Sequence, residues 1–353
     1  MKRILTIVWI FFLQAAIAGA QSLFSPQADS LIRRGIDYTY TSQFDSADAV
    51  FRELEEYLPG HPAPYFYQMG ALQSRMMDFE TRRWEQAFFQ TAEKALAAGE
   101  ALIRSGSADA LVYFYIGSTY NYQGLYQARK GSYLSGLSNA RKGAGYLEEA
   151  LRMDSTLYDA YMGLGSYKYW SGRVTRYLKW IPGIRDEREK GIGMLQTAVS
   201  KGTFSRWVGT NTLAWIEYDR EAYDSALSLF QEGLKRYPES RFFLWGAADT
   251  YFRMGRFREA VQAYHEVLRS VMDMPGRNGY NEVVCRFKLI KSLMAMEAYG
   301  PALVQCNKIL EKSLNEETAR RVEGRRNKTK EFRNTCLERL REQAEARASG
   351  RGP

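Results

Sequence analysis

The sequence predicts an all-α chain, a solenoid of stacked helix-turn-helix units ending in a capping helix, and two observations lead there. First, the stretch from Thr210 to Val267 writes one pattern twice. Leu213-Ala214 returns as Ala247-Ala248, Tyr223 as Phe257, Ala226 as Ala260, Phe230 as Tyr264 and Gly233 as Val267, each pair 34 residues apart (260 minus 226). A fixed period of that length marks a helical unit that stacks on copies of itself. Small residues let two antiparallel helices approach closely, and the aromatic of the second helix fills the gap beside them. Second, almost nothing reads as a strand. Even Leu111-Val112-Tyr113-Phe114-Tyr115 runs on into Gly117 and Tyr120 at helical spacing.

Pro238 stands 12 residues after Ala226 (238 minus 226), where a proline can end the second helix. With that proline, the doubled pattern resembles the tetratricopeptide repeat family. The resemblance is clearest over Thr210–Val267. It implies a right-handed solenoid, protein partners rather than catalysis, and a concave groove lined by the first helix of each unit.

The same ruler recovers further units on either side. The first runs from about Asp29 to Pro59, with Gly35, Tyr38, Ala47 and Phe51 in place and Asp45 or Ser46 available as a helix cap. The second starts near Pro64, with a first helix Tyr65 to Phe79 and a long second helix Thr81 to Arg104. In the third, the second-helix pattern of Leu147 and Ala150 arrives late, and the insertion Gly124 to Lys142 keeps the helical spacing of Tyr126, Tyr133 and Leu137. It therefore reads as an extended helix pair. A fourth unit carries Leu164-Gly165 and Tyr169-Trp170, followed by the insertion Ser171 to Glu189. Units five and six are the clean pair. A loop from Met272 to Gly279 leads to a degenerate seventh unit with Leu289, Leu293, Ala302 and Cys306. The expected organisation is a leader at 1–20, about seven units over 21–314, and a charged capping helix and tail at 315–353, which shields the open end of the array.

Composition sets the class. The 353 residues are 45% hydrophobic and 14% aromatic, ample for a core. Met1-Lys2-Arg3, the apolar run Ile4 to Ile17 and Ala18-Gly19-Ala20 form a signal-peptide pattern with cleavage expected before Gln21. An uncleaved anchor is the lesser reading, because the run is short for a membrane span. The mature chain is expected to be soluble, exported and periplasmic. Removing Lys2 and Arg3 lowers the formal charge from +9 to +7, a mild basic balance that favours acidic partners. No basic helix with base-reading spacing points to nucleic acid. Cys285 and Cys306 fall on the two helices of one hairpin, where a bridge is conceivable, though buried small hydrophobes are the simpler reading for all three cysteines, including Cys336.

No phosphate loop, HExxH or GxSxG pattern occurs, and neither Gly163-Leu164-Gly165 nor Gly143-Ala144-Gly145 completes a dinucleotide fingerprint. His61 and His265 read as surface or packing residues, and Glu55-Glu56, Glu148-Glu149 and Asp186-Glu187 as solvated ion pairs. No cofactor, metal site or catalytic residue is read from the chain. The family resemblance instead implies a groove with Asn211, Trp215 and Tyr218 from unit five, and Trp245, Asp249, Phe252 and Arg253, together with Phe242, from unit six. Carrying that register back adds Tyr169 and Trp170, then Phe114, Asn121 and Tyr122, then Tyr67 and Arg75. Such an aromatic trough suits an extended or helical peptide, with Arg75 and Arg253 favouring acidic segments. The second insertion, with Arg173, Arg176, Tyr177, Lys179, Trp180 and Arg185, is either a plug or a partner-contact rim. The alternative function is a periplasmic solute- or glycan-binding accessory of a transport or polysaccharide system, which predicts a closed pocket beneath Trp170 and Trp215.

Overall fold

The computed structural model describes residues 23–175, 186–277 and 279–348. The leader pattern and most of the second insertion lie outside these residues. The described chain forms seven consecutive hairpins: α1 (Pro26–Tyr40) with α2 (Phe44–Tyr57), α3 (Pro62–Phe79) with α4 (Glu85–Arg104), and α5 (Ala110–Arg129) with α6 (Tyr133–Met153). Then come α7 (Ala160–Thr175) with α8 (Arg188–Lys201), α9 (Arg206–Asp219) with α10 (Tyr223–Arg236), α11 (Arg241–Arg253) with α12 (Phe257–Met272), and α13 (Tyr280–Ala295) with α14 (Tyr299–Leu310). The long α15 (Glu316–Ala348) packs on α14 and α13 and covers the end of the array. No strand occurs among the described residues.

The repeat residues are the packing residues. Ala214, Ala248, Ala226 and Ala260 are fully buried, and so are Phe230 and Tyr264. Between α10 and α11 the contact is reciprocal. A Cβ on Gly246 would lie 2.1 Å from the Phe230 ring, and one on Gly233 would lie 2.3 Å from Phe243. Each glycine leaves the space the other helix's ring occupies. Gly246→Ala is therefore expected to destabilise the protein by about 1–3 kcal/mol through overpacking, readable in a urea unfolding midpoint. An unchanged midpoint would show that the ring has room to move.

Helix starts follow local chemistry. Ser25 caps α1 by accepting from Ala28 N, and Pro26 opens the helix. The first residues of α3 are Pro62 to Pro64, three residues earlier than the Tyr65 expected from sequence, because His61 Nδ1 accepts from Ala63 N at 3.2 Å. The next helix starts at Glu85 instead of Thr81. Glu80 adopts a left-handed backbone there, and the chain turns through Thr81–Trp84.

His61 is a packing residue with a titration consequence. Its ring is edge-on to Phe24 and to Tyr115, and burial lowers its pKa from 6.5 to about 4, against a smaller opposing pull from Asp109. A protonated ring could not accept the Ala63 N–H. Because the folded pKa lies below the unfolded one, the stabilisation is complete above about pH 6.5 and disappears as the pH falls to about 4. The loss is on the order of 3 kcal/mol. In His61→Asn, which keeps a capping side chain, the drop in unfolding free energy across that window is expected to shrink. An equal drop in the variant would place the titration elsewhere.

The array bends far enough to meet itself. Arg33 donates to the Thr203 carbonyl, and Asp37 accepts from Arg236 and from the Tyr237 hydroxyl at 2.6 Å. The Tyr40 ring stacks on Tyr237 and Phe243. Farther along, the Arg241 guanidinium grips Asp78 with bonds of 2.6 and 2.5 Å, and Asn281 donates to the Asp78 carbonyl. The first two units thus touch the fifth, sixth and seventh across the superhelix axis, using α1, the last turn of α3, the turn before α9, the end of α10 and the first turns of α11 and α13. All three cysteines are free and buried, and Cys285 donates to the Tyr264 carbonyl instead of facing Cys306.

Candidate functional site: an aromatic and cationic face on three first helices

Closure occupies one end of α11 and leaves the other clear. Arg241 opens that helix and Arg253 ends it, 12 residues later (253 minus 241) and about 18 Å away at 1.5 Å per residue. Along α11 from Trp245 to Arg253, and on the C-terminal halves of α9 and α13, side chains from three units meet. Trp215 and Tyr218 of α9 meet edge to face at 5.4 Å, and Arg253 of α11 lies over the rings of Tyr218 and Tyr223 while donating to the Tyr223 hydroxyl. Lys288 of α13 sits 5.5 Å over Trp245 and pairs with Asp249, which also accepts from the Tyr264 hydroxyl at 2.6 Å. Lys291 lies 4.8 Å over Phe252. Cation–π contacts thus link α9 to α11 through Arg253 and α11 to α13 through Lys288 and Lys291.

Electrostatically the face is mildly positive. Asp249 is held by Lys288 and Tyr264, whose hydroxyl pKa is pushed far up by burial and then by Asp249 itself. Arg253 is about half exposed, with Glu221 at 3.5 Å as its carboxylate neighbour. Asn211, half-buried on α9, carries a buried Oδ1 with no hydrogen-bond partner among the described residues.

Of the residues expected at the groove, Trp215, Tyr218, Trp245, Asp249, Phe252 and Arg253 come together here. Tyr169 does not. It is 1% exposed, packs with Ile192, Leu195 and Leu213, and donates its hydroxyl to Asp219 at 2.8 Å. Its register was carried back across an insertion, and the ring turns inward to pack. Trp170 beside it is exposed. Tyr67 and Phe114 are also core, with Tyr67 bonded to the Tyr115 hydroxyl, and Asn121 is wedged between Gly143 and Gly163. Arg75 is spent within the chain, stacked on Trp84 at 4.3 Å and paired with Asp45. Arg173 of the second insertion pairs with Asp219, whereas Arg176, Tyr177, Lys179, Trp180 and Arg185 lie outside the described residues.

Lys288 and Lys291 were missed by the sequence reading. The signal for them was a changed offset: α13 starts 39 residues after α11 (280 minus 241), because the Met272–Gly279 loop lengthens the period. At that offset Lys288 falls on Asp249 and Lys291 on Phe252. Two pockets among the described residues lie away from Trp170 and Trp215. One, a crevice between Phe79, Val271 and Glu282, is too narrow for a water molecule, and the other is an open depression on α6.

No protein-family description and no curated protein matches the chain. Among solved structures the chain is similar to the APC/C hetero-tetramer Cut9–Hcn1, with a TM-score of 0.54 at 13% identity, over 90% of this chain and 53% of that one. It therefore spans about half the length of that chain. It is also similar to the C-terminal part of a TPR repeat-containing protein from Cytophaga hutchinsonii (16% identity, TM-score 0.42, 83% of this chain and 97% of that one). A thermophilic TPR protein from Thermus thermophilus matches at 15% identity and a TM-score of 0.40, over 64% and 99% of the two chains. The fold is that of a tetratricopeptide-repeat solenoid, as the 34-residue period predicts.

Proposed function

We propose that the chain is a non-catalytic scaffold of the cell envelope that holds a peptide segment of a partner protein along the face formed by α9, α11 and α13. The observation that carries this reading is the series of partly exposed rings and cations that runs across three units. Rings give contact area at small entropic cost, and the excess of cations favours acidic segments. The Met1–Ala20 export pattern supports a periplasmic setting for this activity.

Selection of displayed peptides on the full chain is expected to yield segments that combine aromatic with acidic residues. The double substitution Trp245→Ala with Phe252→Ala is expected to weaken them at least tenfold (about 1.4 kcal/mol or more) with far-UV circular dichroism unchanged. Trp215 is the poorer test residue, because its ring also packs on Phe230. Full affinity in the double variant would sink the reading.

A further inference from the structure

The tip of the α5–α6 hairpin combines two properties that the peptide-binding face does not explain. The first is exposed apolar surface at the start of α6. On the first turns of α6, Leu134 is 87% exposed and Tyr133 72%, with Leu137 following one turn later. Leu134, Leu137, Ser138, Arg141 and Lys142 share one open depression, so a stripe of apolar residues continues directly into two cations. The second property is a one-signed field. From Ala110 to Leu147, 38 residues (147 minus 110, plus one), there is not one Asp or Glu, while Arg129, Lys130, Arg141 and Lys142 all fall in this span. The carboxylates at its edge are shared between cations: Glu80 accepts from Arg129 and Arg321, and Glu85 from Arg82 and Lys130. Arg141 and Lys142 have no carboxylate partner among the described residues. Lys142 only lies over the Tyr120 ring.

The hairpin is also built to hold its tip firmly. A Cβ on Gly124 would lie 2.8 Å from the Gly136 carbonyl oxygen, and one on Gly136 would lie 2.9 Å from that of Gly124. The two backbones are in direct contact, so the exposed residues project from a rigid pair of helices.

We propose that this tip docks the protein on an anionic membrane surface, with Tyr133 and Leu134 entering the headgroup layer and Arg141 and Lys142 reaching lipid phosphates. Tyr133 and Leu134 stand out beside a depression that is open to solvent, and a bilayer, being deformable, takes single aromatic and aliphatic side chains of this kind at its interface. Cations beside such residues add attraction to anionic lipids, about fivefold in affinity for each. Charge complementarity thus selects the occupant: a negative, fluid surface. The docking is separate from the peptide face, since α6 contributes nothing to α9, α11 or α13 at that face.

The test uses the full chain with Leu134→Cys carrying an environment-sensitive fluorophore. The native cysteines are buried, and a matched chain labelled through Ser225→Cys, exposed on α10, serves as reference. With vesicles of phosphatidylcholine containing about 30% phosphatidylglycerol, the label at position 134 is expected to shift to the blue and brighten, and the label at 225 is not. Pure phosphatidylcholine or raised salt should suppress the shift. Adding Arg141→Glu and Lys142→Glu should weaken partitioning at least tenfold. The proposal is overturned if the label at 134 stays in water on vesicle-bound protein, as binding through the apolar N-terminus alone would produce, or if no vesicles bind. It is equally overturned if poly-glutamate gives the shift and anionic vesicles do not, which would assign the tip to an acidic protein.

Discussion

Replacing Asp78 by alanine is expected to cost about 3–5 kcal/mol and to loosen the contact between the second and sixth units. The Asp78 side chain is 2% exposed and that of Arg241 is 9% exposed. Asp78 accepts two bonds from the guanidinium and a third from Ser42 Oγ at 2.9 Å. Without it the Arg241 cation stays buried, with Ser270 as its remaining partner. An uncompensated buried charge is the costly species, more so than the loss of the pair. The double substitution Asp78→Leu with Arg241→Met should therefore recover much of the loss. Urea unfolding reads the cost, and amide exchange at the start of α11 reads the loosening. If the double variant is no more stable than Asp78→Ala, the bonds themselves, and not the stranded charge, carry the energy.

Asp159→Ala is expected to be about as damaging, by a different mechanism. Asp159 is 2% exposed and precedes α7, yet its carboxylate accepts the backbone N–H groups of Thr203, Phe204 and Ser205 at 2.9, 2.8 and 2.6 Å. Those residues form the turn that starts α9. Removing the carboxylate strands three buried donors, at about 1–3 kcal/mol for each one left without a partner. Asp159→Asn keeps one acceptor oxygen and should lose less. Because α9 carries Trp215 and Tyr218, exchange of amides 203–205 should rise together with a loss of peptide affinity in Asp159→Ala. Unchanged exchange there would show that the turn is held by other contacts.

The fold was legible because its contacts are local. Ala214 against Ala226 and Phe230 is a helix pairing with its sequence neighbour, so the spacing of small and aromatic residues records the packing directly. Phe230 and Gly246, though in different units, still belong to consecutive helices. The closure was not legible for the opposite reason. Asp78 and Arg241 lie 163 residues apart, and nothing in a 34-residue period says which charged residues meet across the axis. Arg75 shows the same limit, since it looked like a groove cation and is held by Trp84 and Asp45. At the candidate site, the register of the clean pair places Tyr218, Asp249 and Arg253 on one face. It failed one insertion upstream at Tyr169, and a lengthened loop hid Lys288 and Lys291 downstream.

The central claim, a peptide-holding face on α9, α11 and α13, is tested most directly by site-specific photocrosslinking in the producing cell. A photoreactive phenylalanine analogue would replace Phe252 on that face or, as the reference, Gln262 on the exposed side of α12. A discrete protein adduct is expected from position 252 and not from 262, and Trp245→Ala in the same chain should abolish it. No adduct from 252, or the same adducts from both positions, would contradict the account.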